Sequence, residues 1–194
     1  MKKRTVLHTA LLFLLALVML LASACTVSYK LRECKSYEAL QKLFNKSGKN
    51  VVFPDLSPFG FGEFVSYTFD PGKAGTEPKM IVDGDGTVQN RPVSSRFTVW
   101  KLKEGETVAD KEDPLVYNDV KINRERRETQ ASNGDPYVTN EYNTVVNGYL
   151  YTASMSYTRT AAFTDESAAE FEKTVTDTLY SMMCGVIDSA QKNG

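Results

Sequence analysis

The segment Tyr137–Tyr157, YVTNEYNTVVNGYLYTASMSY, decides the fold. Two strand-like runs, Tyr137–Val146 and Tyr149–Tyr157, flank Asn147-Gly148. Asn-Gly suits a two-residue turn with both central residues at positive φ, the geometry that joins twisted antiparallel strands. In the second run Tyr149, Tyr151, Ala153, Met155 and Tyr157 alternate onto one face. A hairpin with one apolar face needs a second layer to cover it. The following segment can supply that layer. Thr164 or Asp165 caps a helix running to about Ala190, with Asp165 and Glu166 in its first turn to suit the helix dipole. Ala168, Phe171, Val175, Leu179, Met182 and Val186 recur at helical spacing, so this stripe should lie against the sheet.

Upstream, the pattern is read as further strands. Glu63–Asp70 and Arg96–Leu102 alternate, and Val116–Thr129 is extended and very polar in its second half. Pro71-Gly72 and Ala131–Pro136 are turns, and the charged stretch Lys103–Asp113 is a loop. Met80-Ile81-Val82 leads into Asp83-Gly84-Asp85-Gly86, read as a hairpin turn. Val51–Phe53 is extended until Pro54, and Phe59-Gly60-Phe61-Gly62 is an aromatic loop. Ser36 caps a first helix with Tyr37, Leu40, Leu43 and Phe44 on its apolar face and Gly48 beyond its end. The order helix, strands, helix predicts an α+β domain. Its antiparallel sheet has about five or six strands, with an N-terminal helix and a long C-terminal helix packed on it.

The run NGYLYTASMSY, followed by a capped helix carrying TVTDTLYSM, resembles the closing hairpin and helix of the PsbP/Mog-like fold. The similarity covers about a quarter of the chain. It implies a domain that binds partners or serves as an accessory subunit, with no catalytic motif to carry over.

The N-terminus has a different composition. Lys2, Lys3 and Arg4 precede an apolar run from Ala10 to Ala22, then Ser23, Ala24 and Cys25. This is the layout of a secretory signal peptide, with an apolar run short of the roughly 20 residues of a spanning helix. Leu21-Ala22-Ser23-Ala24-Cys25 resembles the lipobox of bacterial lipoproteins, with leucine one place further from the cysteine than is usual. The resemblance implies cleavage after Ala24 and diacylglycerol on Cys25. Ala22-Ser23-Ala24 also fits ordinary signal peptidase, which would leave a free thiol. The expected organisation is therefore a signal peptide over 1–24, a lipidated tether over 25–35 and one α+β domain over 36–194. An extracytoplasmic location, held on a bacterial membrane by the lipid, follows.

After such a cut the chain has 170 residues, enough for one domain with its own core. It carries 20 basic against 24 acidic residues, a balance that gives no general attraction to nucleic acid. The one histidine, His8, leaves with the signal. Imidazole-based triads and histidine-ligated metal sites are thereby excluded, and no catalytic residue, metal or cofactor is expected. Cys34 and Cys184 remain, either as a disulfide permitted outside the cytoplasm or as two thiols.

Few residues offer a ligand site. Asp83–Thr87 lacks the glycine and glutamate positions of an EF-hand loop, since Val88 and Ser94 stand there. Arg124 and Arg126 share one face of a strand and could grip a phosphate or carboxylate; charges that block edge pairing are the plainer reading. Tyr149, Tyr151 and Tyr157, with Trp100, make either an aromatic platform for sugar or peptide or the sheet face beneath the last helix. The function expected is a non-catalytic binding or accessory module of the cell envelope, its partners the membrane and another envelope protein. A small hydrolase using carboxylates, or a purely structural envelope protein, is the alternative.

Overall fold

The computed structural model describes residues 30–46, 51–57, 59–62, 64–73 and 76–193. The signal segment and Cys25 lie outside the described residues. Eight strands form one antiparallel sheet: β1 (Arg32–Cys34), β2 (Phe64–Asp70), β3 (Lys79–Val88), β4 (Arg91–Lys101), β5 (Leu115–Tyr117), β6 (Val120–Gln130), β7 (Pro136–Val146) and β8 (Tyr149–Thr158). Helix α1 spans Tyr37–Phe44 and α2 spans Asp165–Asn193. The strand order is β1-β2-β3-β4-β8-β7-β6-β5. The sheet is thus two meanders, β1 to β4 and β5 to β8, joined only by the ladder between β4 and β8.

Three of the hairpins close on tight turns whose two central residues have positive φ: Gln89 and Asn90 (48° and 61°), Asn118 and Asp119 (48° and 61°), and Asn147 and Gly148 (52° and 76°). This is the pattern of turns that follow the strands' own twist. The first two alter the sequence-based reading. The turn at Asn118-Asp119 splits the extended segment 116–129 into β5 and β6. The turn at Gln89-Asn90 moves the hairpin away from Asp83–Gly86, which instead lies inside β3. Arg32–Cys34, read as tether, is an edge strand; three residues are too few to show a period. The sheet therefore has eight strands rather than five or six.

The sheet faces divide cleanly. One is covered by α1, the segment 51–61 and α2. Here Leu40 and Phe44 of α1 meet Val52, Phe69, Met80 and Tyr149, while Phe171, Val175, Leu179, Met182 and Val186 of α2 lie in the same core as Val138 and Tyr157. The predicted stripe of α2 is buried along its length. Phe171 packs edge-on against Tyr157 at 4.8 Å between centroids and against Phe163 at 5.5 Å. Thr164 is the cap: its Oγ1 accepts from Ser167 N–H at 3.2 Å and its carbonyl from Ala168 N–H at 2.9 Å. Helix α1 is short, eight residues, with Ser36 Oγ accepting from Ala39 N–H.

The glycines of β3 explain how the segment 51–61 seats. Gly84 and Gly86 face the covered side. A Cβ on Gly86 would stand 1.8 Å from the Gly60 carbonyl oxygen, and one on Gly84 would stand 2.7 Å from the Phe61 ring. Gly62 N–H donates to the Asp85 carbonyl at 3.0 Å. Only residues without side chains let the loop backbone come this close. Further along, Val52 N–H donates to the buried Tyr151 hydroxyl at 2.8 Å.

Among the described residues no helix lies on the other face. The connection 102–114 reaches it at one end: Lys111 N–H donates to Asn123 Oδ1, and Asp110 and Lys111 bind Lys121 and Glu125.

Candidate functional site

The alternation that buries one face dictates the chemistry of the other. In β8 the residues between the buried ones are Thr152, Ser154, Ser156 and Thr158. Their cross-strand partners on β4 and β7 are short or charged, except Tyr137 opposite Thr158. Residues directly opposite on antiparallel strands share a face, so the register assembles two rows running across the sheet. One is Phe64, Asp85, Ser94, Ser156, Thr139 and Arg127; the other is Ser66, Asp83, Arg96, Ser154, Glu141 and Glu125. These rows floor an open trough of about 790 Å³, with Phe64 at one end and Tyr137 and Arg127 at the other.

Both arginines of the trough are paired within it. Arg96 Nε binds Asp83 Oδ1 at 2.5 Å, and Arg127 Nη2 binds Glu141 Oε2 at 2.8 Å with Glu125 at 3.5 Å. Ser94 Oγ donates to Asp85 Oδ1 at 2.7 Å, and the Thr139 and Ser156 hydroxyls are 2.9 Å apart. The hydrogen-bonded Lys111 ammonium holds the Glu125 carboxyl below its ordinary range. Beyond the rows, Lys79 stands over the Trp100 ring at 4.4 Å, and burial lowers its ammonium pKa, with Arg96 adding to the effect. Most of these pairs are half exposed, so each contributes little to stability. Their side chains remain partly exposed in the trough.

The sequence-predicted residues fall elsewhere. Tyr149 and Tyr151 are 2% and 0% exposed, so neither touches a ligand. They are the floor beneath α1 and the segment 51–56, where Tyr149 meets Phe44 and burial pushes the Tyr151 phenol up to about 12. Trp100 lies on the opposite face from them, so the four-ring platform does not exist. Arg124 and Arg126 share the covered-side face of β6 beside α2. Arg126 is engaged by Glu172 at 2.5 Å and Glu128 at 2.8 Å. Arg124 lines a hollow of about 330 Å³ with Asn140, Tyr142 and Thr176.

Cys34 and Cys184 are free thiols. Cys34 is on β1 at one edge of the sheet. Cys184 is on α2 beside β5 at the other edge, where Tyr117 reaches Asp188 and stacks edge-on with Tyr180. The edges are seven strand positions apart, on the order of 30 Å along the sheet, whereas a disulfide requires Cα atoms within about 7 Å. The bridge considered from the sequence is therefore not formed. Burial pushes both thiols up.

Asp83 and Asp85 hold ordinary side-chain partners on the open face. Among the described residues no group of three or more Cys, His, Asp or Glu is placed to hold a metal ion. No described helix is long and apolar enough to cross a membrane. The trough was missed in the sequence because the apolar register of β8 draws the eye; its signal is the other register, Thr152, Ser154, Ser156 and Thr158. No family model, no characterised protein and no solved structure matches the chain.

Proposed function

We propose that this chain is an extracytoplasmic lipoprotein, held on a bacterial membrane through Cys25, whose folded domain is a non-catalytic binding module of the cell envelope using the open sheet face. The observation that carries the reading is the trough: a broad open recess bordered by hydroxyl, carboxylate and guanidinium groups, on a face that no described helix covers, framed by the sheet. Ligand sites built on regular elements hold their geometry well. The charged N-terminus, the apolar run and the small residues before Cys25 support export and lipidation. Two or more acyl chains would anchor the domain stably.

A carboxylate hydrolase has less support. Asp83 and Glu141 lie in one row but three strands apart, about 14 Å at the usual strand spacing. Paired glycosidase acids stand roughly 5–9.5 Å apart across the bond they cleave. Glu125 and Glu141 are opposite each other on neighbouring strands, but Arg127 contacts both carboxylates, at 3.5 and 2.8 Å, and the hydrogen-bonded Lys111 holds the Glu125 carboxyl below its ordinary range, the reverse of what a general acid needs. Asp83 and Asp85 sit side by side on one strand, bound to Arg96 and Ser94, rather than facing each other.

Two measurements test the proposal. Mass spectrometry of the N-terminus of the membrane-extracted protein should show a diacylated Cys25; an unmodified Cys25 or an intact Met1 would refute the anchor. The full-length protein in detergent should co-sediment with bacterial envelope fragments, and Ser154→Trp, which fills the trough, should lower retention at least fivefold. Equal retention of the two proteins would refute the open face as the binding surface.

A further inference from the structure

Resting on the reading of the open face as the binding surface, we infer that its ligand is a neutral glycan chain lying across the strands. Three properties of the trough point to this chemistry.

First, the floor presents many short hydrogen-bonding side chains. Ser94, Ser154, Ser156 and Thr139 supply hydroxyls, and the Asp83–Arg96 and Arg127–Glu141 pairs supply planar donors and acceptors. Protein partners draw most of their affinity from large side chains buried in dry pockets at the centre of the contact. Nothing in this floor offers such a pocket. Polyhydroxylated rings, by contrast, are bound by hydroxyl, carboxylate and guanidinium groups of this kind.

Second, Phe64 closes one end of the row and is 76% exposed, more than the other exposed large apolar residues Leu31, Val116 and Val145. Phe64 lines the trough, so its ring is offered to whatever lies along the row. A sugar ring has an apolar C–H face that suits an aromatic face, whose electron density is greatest there.

Third, the alternatives fit poorly. Asp83, Asp85, Glu125 and Glu141 against Arg96, Arg127 and the Lys111 that pairs with Glu125 leave the floor slightly acidic, so a polyanion gains nothing there. An extended peptide recognises a sheet by adding to an edge, where backbone groups are unpaired. The centre of the trough lies over β3, β4, β8 and β7, each paired on both sides, and there it offers side chains alone; only its ends, at β2 and β6, reach strands without an outer partner at those residues. Along each row successive side chains come from neighbouring strands ~4.8 Å apart, so a chain of rings lying across the strands can meet one strand after another.

The test is calorimetric titration of the full-length protein in detergent with four neutral tetrasaccharides: the β-1,4-linked N-acetylglucosamine tetramer, cellotetraose, maltotetraose and mannotetraose. At least one should bind saturably. Phe64→Ala, a change to an exposed side chain, should weaken it at least tenfold with an unchanged melting temperature, and Ser154→Trp should abolish it. Binding indifferent to both substitutions would overturn the inference. So would the absence of binding by all four sugars. In that second case, an envelope retention still lowered by Ser154→Trp would leave the open face as the binding surface with a different ligand. A retention unmoved by it would remove both.

Discussion

The two faces of β8 are built from alternate residues of one ten-residue strand, yet they obey different rules. Tyr149, Tyr151, Ala153, Met155 and Tyr157 are buried against two helices and the segment 51–61. Thr152, Ser154, Ser156 and Thr158 are half-exposed and meet only side chains of neighbouring strands and solvent. The comparison separates what holds the molecule together from what it presents. Shape fit governs the first face and hydrogen-bonding reach the second.

The largest way to break that division is through the covered side. Phe171→Ala empties a site that is 0% exposed and touches Tyr157 and Phe163. It should cost about 3–5 kcal/mol, read as a lowered urea midpoint with an unchanged slope.

Alkaline titration probes the same face without mutation. Burial pushes Tyr151 and Tyr157 up to about 12, above the ~10 of an unfolded tyrosine. The folded state therefore prefers the protonated phenols. That contribution is complete below about pH 10 and is lost as pH rises through about 12, at roughly 1.4 kcal/mol per pH unit for each ring. Urea titrations between pH 9 and 11.5 should show the decline, and Tyr151→Phe should make it shallower. A stability flat across that range would count against the burial of both phenols.

Gly86→Ala tests the seat of the aromatic loop. The new methyl group would collide with the Gly60 carbonyl, displacing the loop backbone at a cost of about 1–3 kcal/mol. Hydrogen exchange should quicken at Gly62 N–H while β7 and β8 stay protected.

At the small end, Ser154→Ala on the open face should change stability by less than about 0.5 kcal/mol. A larger loss would show that the hydroxyl rows bear structural weight and would blur the division between faces.

The sequence made some of this legible. Asn147-Gly148 between alternating runs located β7 and β8, and the stripe from Ala168 to Val186 located α2, because turn chemistry and helical period are local properties. The turn at Gln89-Asn90 was hidden because neither residue is glycine and the adjacent DGDG looks more turn-like. Those glycines answer to a distant loop, Gly60–Gly62, a tertiary demand that leaves no local mark. The trough was hidden for a related reason. Its residues come from six strands and meet only once the register between β4 and β8 is set, and that register is a property of the whole sheet. The arginines on β6 were visible as a cluster, but nothing in their spacing foretold that Glu172 on α2 would engage Arg126.

The single ladder between β4 and β8 also orders events in time. Each meander can form from neighbouring segments, whereas pairing Lys101 with Tyr149 must wait for everything between them. Long-range pairing of this kind is the slow step of folding, and an open edge is the hazard while it is awaited. In a chain that emerges N-terminus first, the first four strands meet solvent with the apolar edge of β4 unpartnered, and its natural mate is the last strand to appear.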